Sequence, residues 1–378
     1  MRELAAALDA QGITDPSPIQ AATLPDAIAG RDLCGKAKTG SGKTLAFALP
    51  IVQRLSGKAE RSPRALVLVP TRELAAQVLD VLKPLAQVAG LRVMSAYGGT
   101  PLDRQLASLE KGADVVVATP GRLIDLLERG AVRLDDIEIC VLDEADRMAD
   151  MGFLPQVEWV LRKLPAGRQK LLFSATLDSQ VDGLVRHYLR DPSIHTVGED
   201  GGKVAEMRHA FLAVHEMDRV KVVAAITRGV ERTMVFVRTK RGADRLAARL
   251  VREGVRAEPM HGDLRQSARE KALRAFSKGE VVLVATDVAA RGIHVDDVDV
   301  VVQFDPPEDH KAYLHRAGRT ARAGRAGVVV TLVLWNQELE VERLKTRLNL
   351  TDKTVEVFSN NPVLADLRTF TETEAQAS

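Results

Sequence analysis

The sequence predicts an α/β protein of two tandem domains, each a mostly parallel sheet flanked by helices. Three features of the chain lead there. It has 378 residues, more than the roughly 100–200 that one domain usually takes. Apolar, β-branched runs alternate with helix-length amphipathic stretches, the pattern of parallel strands buried on both faces. The alternation then occurs twice, on either side of a charged, glycine-rich stretch without periodicity.

In chain order, the first series of strand-like runs includes 65–69, 114–118, 139–142 and 170–173, and the second 233–237, 281–285, 298–302 and 327–332. Gly198, Gly201 and Gly202 sit among charged residues between the two series, as in a flexible linker. The expected organisation is therefore residues 1–197, a linker 198–205, a second domain 206–355 and a polar tail 356–378. A helical stretch at 336–348 is expected to close the second domain.

Composition excludes several classes. An apolar content of 46% supports real cores. No apolar run approaches the ~20 residues of a membrane span, and the start lacks a signal peptide's apolar region. Two cysteines, Cys34 and Cys140, imply no disulfide framework, so a reducing cytoplasm is expected. The net charge of +2 hides an asymmetry: residues 1–200 balance at −2, residues 201–350 at +7 and residues 351–378 at −3. The surplus lies where a polyanion partner would use it, although a solvated arginine-rich surface is the better account of most of those residues taken singly.

Two segments carry chemistry. Ala37-Lys38-Thr39-Gly40-Ser41-Gly42-Lys43-Thr44 is a glycine-rich loop. Asp143-Glu144-Ala145-Asp146 ends an apolar run. A triphosphate needs closely packed N–H donors, and Gly40 and Gly42 permit the tight bend that exposes them. Lys43 would place its ammonium against the phosphates, and the Thr44 hydroxyl would ligate Mg²⁺. Asp143 would hold that ion through water, and Glu144 is the candidate base for the attacking water. Alone, the loop could be a glycine-rich turn, and the acidic tetrapeptide a solvated turn. Together and in this order they form the two halves of a nucleotide-hydrolysis site.

With alanine rather than glycine at its first position, and with Val-Leu-Asp-Glu-Ala-Asp-Arg-Met following, the chain closely resembles the DEAD-box ATP-dependent RNA helicases. The resemblance extends from about residue 12 to about residue 334. Pro16-Ser17-Pro18-Ile19-Gln20 resembles that family's adenine-reading motif. Pro70 to Ala75, Gly98-Gly99 and Thr119-Pro120-Gly121-Arg122 resemble its first-domain RNA motifs, and Ser174-Ala175-Thr176 its coupling motif. Phe236 to Thr239, Gln266 with Arg269, the run from Ala285 through Thr286 to Ile293, and the run from His315 to Arg322 resemble the second-domain set.

The resemblance implies two RecA-like domains with ATP and RNA bound across a cleft. It implies Gln20 as the adenine partner, Gly292 and His294 near the ribose, and Arg319 and Arg322 as arginine fingers on the phosphates. His315 and Arg316 would tie the domains together. Ser174 and Thr176 would bond Asp146 on closure. RNA contacts would fall to Thr71, Arg72, Gly99, Thr119, Gly121 and Arg122 in the first domain, and to Arg238, Thr239, Gln266, Arg269 and Thr286 in the second. These are groups that bind phosphate and sugar rather than base edges. With aromatics at only 4%, a base-stacking platform is not expected, and binding should be sequence-independent. RNA over DNA rests on the resemblance alone.

The chain departs from the family at three places: Ala321 stands where glycine is usual, His294 where aspartate is usual, and no aromatic residue precedes Gln20. Looser adenosine binding is expected from the last two, while Ala321 is a small change in a turn. Two rivals stay open at this stage, a DNA-directed translocase and a non-catalytic RNA clamp. Recruitment by protein partners or by a further tail is left open, as is the oligomeric state.

Overall fold

Fourteen strands in the described residues pair only in parallel, because within each sheet every strand is joined to the next in sequence through a helical crossover. The computed structural model describes residues 2–38, 40–57, 62–197, 207–228, 230, 232–290, 298–320, 327–365 and 367. The chain forms two compact units, Met1–Gly201 and Gly202–Ser378.

In the first unit the strands are β1 (Leu33–Lys36), β2 (Ala65–Leu68), β3 (Val93–Ala96), β4 (Val115–Ala118), β5 (Ile139–Leu142), β6 (Gln169–Ser174) and β7 (Ser193–Thr196). Their order across the sheet is β3-β4-β2-β5-β6-β1-β7. Strands β2, β4 and β5 are wholly buried, since helices cover both faces. One core contains Phe47, Ile51, Leu74 and Val78 from helices Lys43–Leu55 and Arg72–Val88. The other contains Leu123, Val157 and Leu184 from helices Pro120–Glu128, Leu154–Lys163 and Ser179–Tyr188. Strand β1 carries no continuous apolar run. Its Gly35 is required because a Cβ there would stand 2.8 Å from the Phe173 ring of β6.

The second unit repeats the plan with β8 (Arg208–Ala213), β9 (Thr233–Val237), β10 (Ala257–Met260), β11 (Val282–Thr286), β12 (Val300–Gln303), β13 (Val328–Val333) and β14 (Thr354–Glu356). Its order is β10-β11-β9-β12-β13-β8-β14. Two expectations are corrected here. The helix Glu338–Leu348 does not close this unit, because β14 follows it and pairs with β8. Nor is 356–378 polar throughout: Val357, Leu364 and Leu367 are buried in the core, whose apolar demand outweighs the polar average of the segment.

Candidate functional site

Parallel sheets gather their loops at the carboxyl ends of the strands, and in the first unit strand order sorts those loops into two groups. Strands β5, β6 and β1 are neighbours, so the loops after them bring together Asp143 to Asp146, Ser174 to Thr176, and Ala37 to Lys43. Strands β3, β4 and β2 form the other half and carry Gly99, Thr119 to Arg122, and Thr71 with Arg72.

In the first group, Gly40 and Gly42 have φ of 81° and 91°, which only glycine adopts readily. Helix Lys43–Leu55 starts at Gly42 with no side-chain cap, so its first N–H groups can receive an anion. Lys43 is buried, and its Nζ donates to the Ala37 carbonyl at 2.8 Å. Ser41 Oγ and Ser17 Oγ are buried without a hydrogen-bond partner among the described residues. The Gln20 carboxamide spans this loop. Its Nε2 donates to the Gly42 carbonyl at 3.0 Å, and its Oε1 accepts from the Ser17 N–H at 2.9 Å. One amide hydrogen and one lone pair remain for a further partner. A glycine cradle, an uncapped helix start, an ammonium and two orphaned hydroxyls fit a polyphosphate.

Burial pushes the Asp143 carboxyl up to about 7, with Lys43 pulling the other way and Glu144 adding to the rise. A divalent cation would reverse that rise. Among the described residues no group of three or more His, Cys, Asp or Glu side chains could hold a metal. The hard oxygens of Thr44 and Asp143 nevertheless suit Mg²⁺, which commonly takes one or two protein ligands and completes its shell with water and phosphate oxygens.

Glu144 is a non-glycine residue with φ of 54°, a strained conformation of the kind that collects at functional sites. Its N–H donates to Asp143 Oδ1 at 3.0 Å, and its carboxylate is paired with the Arg147 guanidinium. Asp146 is the hub. Its Oδ2 accepts from the N–H groups of Ala175 and Thr176 at 3.2 and 3.1 Å and from Thr176 Oγ1 at 3.3 Å, while its own N–H donates to Ser174 Oγ at 3.2 Å. Asp146 Oδ1 accepts from the Arg147 N–H at 3.0 Å. Arg147 thus contacts both Asp146 and Glu144. Its sequence signal was an arginine three residues after a glutamate, the spacing of a helical pair.

In the second group, Thr71 is buried and its hydroxyl caps its helix by accepting from the Leu74 N–H at 3.2 Å. Gly99 has φ of 83°, and a Cβ there would stand 2.0 Å from Arg72 Nη1, so the two motifs meet. Thr119 caps helix Pro120–Glu128 by backbone geometry alone. Gly121 borders open space, and Arg122 lies 3.6 Å from Asp125.

In the second unit, neighbours β10, β11 and β9 carry the corresponding loops. Arg238 and Thr239 are exposed. The Arg238 N–H donates to Asp305 Oδ2 at 2.8 Å, and Thr239 Oγ1 accepts from the Gly242 N–H at 3.0 Å. Gln266 Nε2 donates to Glu270 at 3.2 Å, and Arg269 and Thr286 are buried. Helix His310–Ala317 carries His315 and Arg316 and leads to Arg319, which is buried. The Arg316 guanidinium forms a two-pronged pair with Asp287 at 2.6 and 2.7 Å. It also donates to the Asp305 carbonyl at 2.6 Å and lies over the Phe236 ring. Those partners all belong to the second unit. Thr39, Gly292, His294, Arg322, Ala321 and the expected linker 198–205 lie outside the described residues.

Fold and site together define a phosphate-loop nucleotide hydrolase built of tandem RecA-like domains. The family model "DEAD/DEAH box helicase" matches residues 17–184, and "Helicase conserved C-terminal domain" matches residues 217–324. The chain is 42% identical over 335 residues to the DEAD-box ATP-dependent RNA helicase CshA of Geobacillus kaustophilus, covering 88% of this chain and 72% of the relative. It is 41% identical to the ATP-dependent RNA helicase CshA of Listeria monocytogenes, covering 85% of this chain but only 62% of the relative. Among solved structures, S. cerevisiae Dbp5 bound to RNA and ADP BeF3 is similar, with a TM-score of 0.81 at 30% identity over 96% of this chain and 94% of that one. The chain belongs to the DEAD-box family of ATP-dependent RNA helicases. No helix among the described residues is long and apolar enough to cross a membrane.

Proposed function

We propose that the chain hydrolyses ATP only when RNA is bound, and uses that cycle to open short duplexes or remodel RNA–protein complexes. The observation that carries this is the sorting of loops along the first sheet, with phosphate-type residues after β5, β6 and β1 and the backbone-gripping set after β3, β4 and β2. The loop N–H groups and Lys43 hold the phosphates, and Gln20 takes the adenine edge. Thr44 and Asp143 would hold Mg²⁺, which when bound neutralises phosphate charge. Glu144 orients a water and accepts its proton as the water oxygen bonds to the γ-phosphorus. The bond to the β-phosphate oxygen breaks, leaving ADP and phosphate. Arg319 and Arg322 supply the positive charge the transition state needs. Their origin in the second unit makes hydrolysis conditional on domain closure.

RNA is gripped through phosphate and sugar, without sequence preference, by the residues after β2, β3 and β4 and by Arg238, Thr239, Gln266, Arg269 and Thr286. The buried, unpaired thiols of Cys34 and Cys140 support a reducing, cytoplasmic setting. Phosphate release measured with RNA, with single-stranded DNA and with neither tests the reading, beside strand separation of a short RNA duplex. Equal stimulation by DNA would reassign the protein to DNA. Absence of turnover would leave an RNA clamp.

A further inference from the structure

Helix Lys240–Arg252 is built against its own electrostatics. Its first turn holds no acidic residue but begins Lys240-Arg241, where the helix dipole favours anions. Arg241, Arg245 and Arg249 follow at four-residue spacing and Arg252 three residues on, an arrangement of like charges that destabilises a helix. Steps of about 100° per residue place these four guanidinium-bearing positions within an arc of about 80°. All four are exposed, while Ala243, Leu246, Ala247 and Leu250 bury the opposite face in the core. The one acid within the helix, Asp244, is already engaged, its Oδ1 accepting from His261 Nε2 at 2.9 Å. None of the four arginines has an ion-pair partner among the described residues.

The stripe continues beyond the helix. Exposed Arg228 ends the adjoining helix Arg219–Arg228 and reaches the Glu253 carbonyl at 3.5 Å, and Arg256 is exposed beyond the turn. Lone surface arginines would ordinarily be interleaved with acids. Here the chain holds uncompensated like charges in a row at a cost to the helix, which points to a polyanionic partner.

We infer that the solvent face of helix Lys240–Arg252 is a second phosphate-binding surface, which grips the backbone of RNA lying beyond the segment held by the motif residues. This rests on the reading of the chain as an RNA helicase, but not on any of the motif residues. From Arg241 to Arg252 the helix rises about 16 Å, enough to face several successive phosphates along one strand of an A-form RNA duplex. Arginine suits the task because its planar fork binds phosphate oxygens in pairs. Val251 is the only large apolar side chain this helix exposes, so the surface lacks the apolar centre of a typical protein interface.

The test compares wild type with the fourfold variant R241Q/R245Q/R249Q/R252Q and with its all-lysine counterpart. Binding is measured as a function of salt, on a single-stranded RNA just long enough for the motif residues and on the same strand extended by a duplex. For the extended RNA, the glutamine variant is expected to bind at least about tenfold more weakly at low salt. Its log K versus log salt slope should shrink by about 2–4, at about 0.9 for each phosphate no longer neutralised. The lysine variant should keep most of that slope. Binding of the short strand, and kcat at saturating short strand, should stay within about twofold of wild type. An unchanged slope on extended RNA overturns the proposal. So does a variant that keeps its RNA binding but no longer binds polyglutamate, which would make the face a docking site for an acidic protein. If wild type itself shows neither RNA binding nor RNA-stimulated hydrolysis, the helicase reading fails, and the surface proposal falls with it.

Discussion

The Arg147 guanidinium forms an ion pair with the Glu144 carboxylate three residues upstream, and the two side chains are only 10% and 5% exposed. Glu144 lies against Asp143, a second buried carboxylate, so Arg147 on Glu144 and Lys43 near Asp143 together offset two adjacent acids. Removing one partner of a buried pair costs about 3–5 kcal/mol, because the other charge is left behind. Arg147→Ala should therefore shift the unfolding transition of the first unit to lower denaturant and leave that of the second in place. It should also lower kcat more than it raises KM for ATP, since Lys43 and Gln20 are untouched. Unchanged transitions in a denaturant titration would mean that the pair does not persist in solution.

Glu144→Gln preserves size and hydrogen bonding but removes the basic carboxylate. ATP and RNA binding should persist while hydrolysis falls by roughly 10²–10⁴-fold, the usual worth of a general base. Single-turnover phosphate release checks this. A variant turning over within a few-fold of wild type would take Glu144 out of the mechanism.

Much of this was legible in the sequence, for reasons visible at particular residues. Interior strands such as β5 and β9 appear at the bounds the apolar runs predict, because burial on both faces keeps them almost wholly apolar. Edge strands β3, β7, β10 and β14 alternate or mix polarity and give no such run. Strand β1 is interior yet unreadable, since Gly35 is set by the Phe173 ring and not by any local pattern. Within the site, residues adjacent in sequence announced themselves. The bond from Gln20 to Gly42 and the approach of Arg72 to Gly99 exist only once the strands are ordered. Arg316 differs again: its contacts with Asp287, the Asp305 carbonyl and the Phe236 ring, far apart in sequence, could not be read from any local pattern.

Arg319→Ala should lower kcat strongly, by about 10³–10⁵ where an arginine finger is removed. RNA affinity without nucleotide should hold within about twofold. The two readouts separate roles. If affinity falls as far as turnover, Arg319 is an RNA ligand and the assignment to phosphate chemistry is wrong.

Gly42→Ala tests the adenine side of the site through backbone geometry. At φ of 91° an alanine is strained, by about 1–2 kcal/mol for a left-handed residue. Its Cβ would stand 2.5 Å from Gln20 Nε2 and 2.8 Å from Ser17 Oγ, so the Gln20 carboxamide must leave the Gly42 carbonyl. That forfeits a hydrogen bond worth about 0.5–1.5 kcal/mol. Carried wholly into binding, the two effects weaken ATP by roughly 10- to 300-fold at about 1.4 kcal/mol per decade. The core should survive, since Ile19, Phe47 and Ile51 pack away from the loop in the cluster beneath it. Gly183→Ala is the matched control. It lies in helix Ser179–Tyr188 with nothing within 4 Å of the added methyl, so it should leave ATP binding unchanged and stabilise slightly. Titration with a fluorescent ATP analogue distinguishes the outcomes. If Gly42→Ala binds as wild type does, the Gln20 bridge lies outside the nucleotide pocket, and the role given to Gln20 falls.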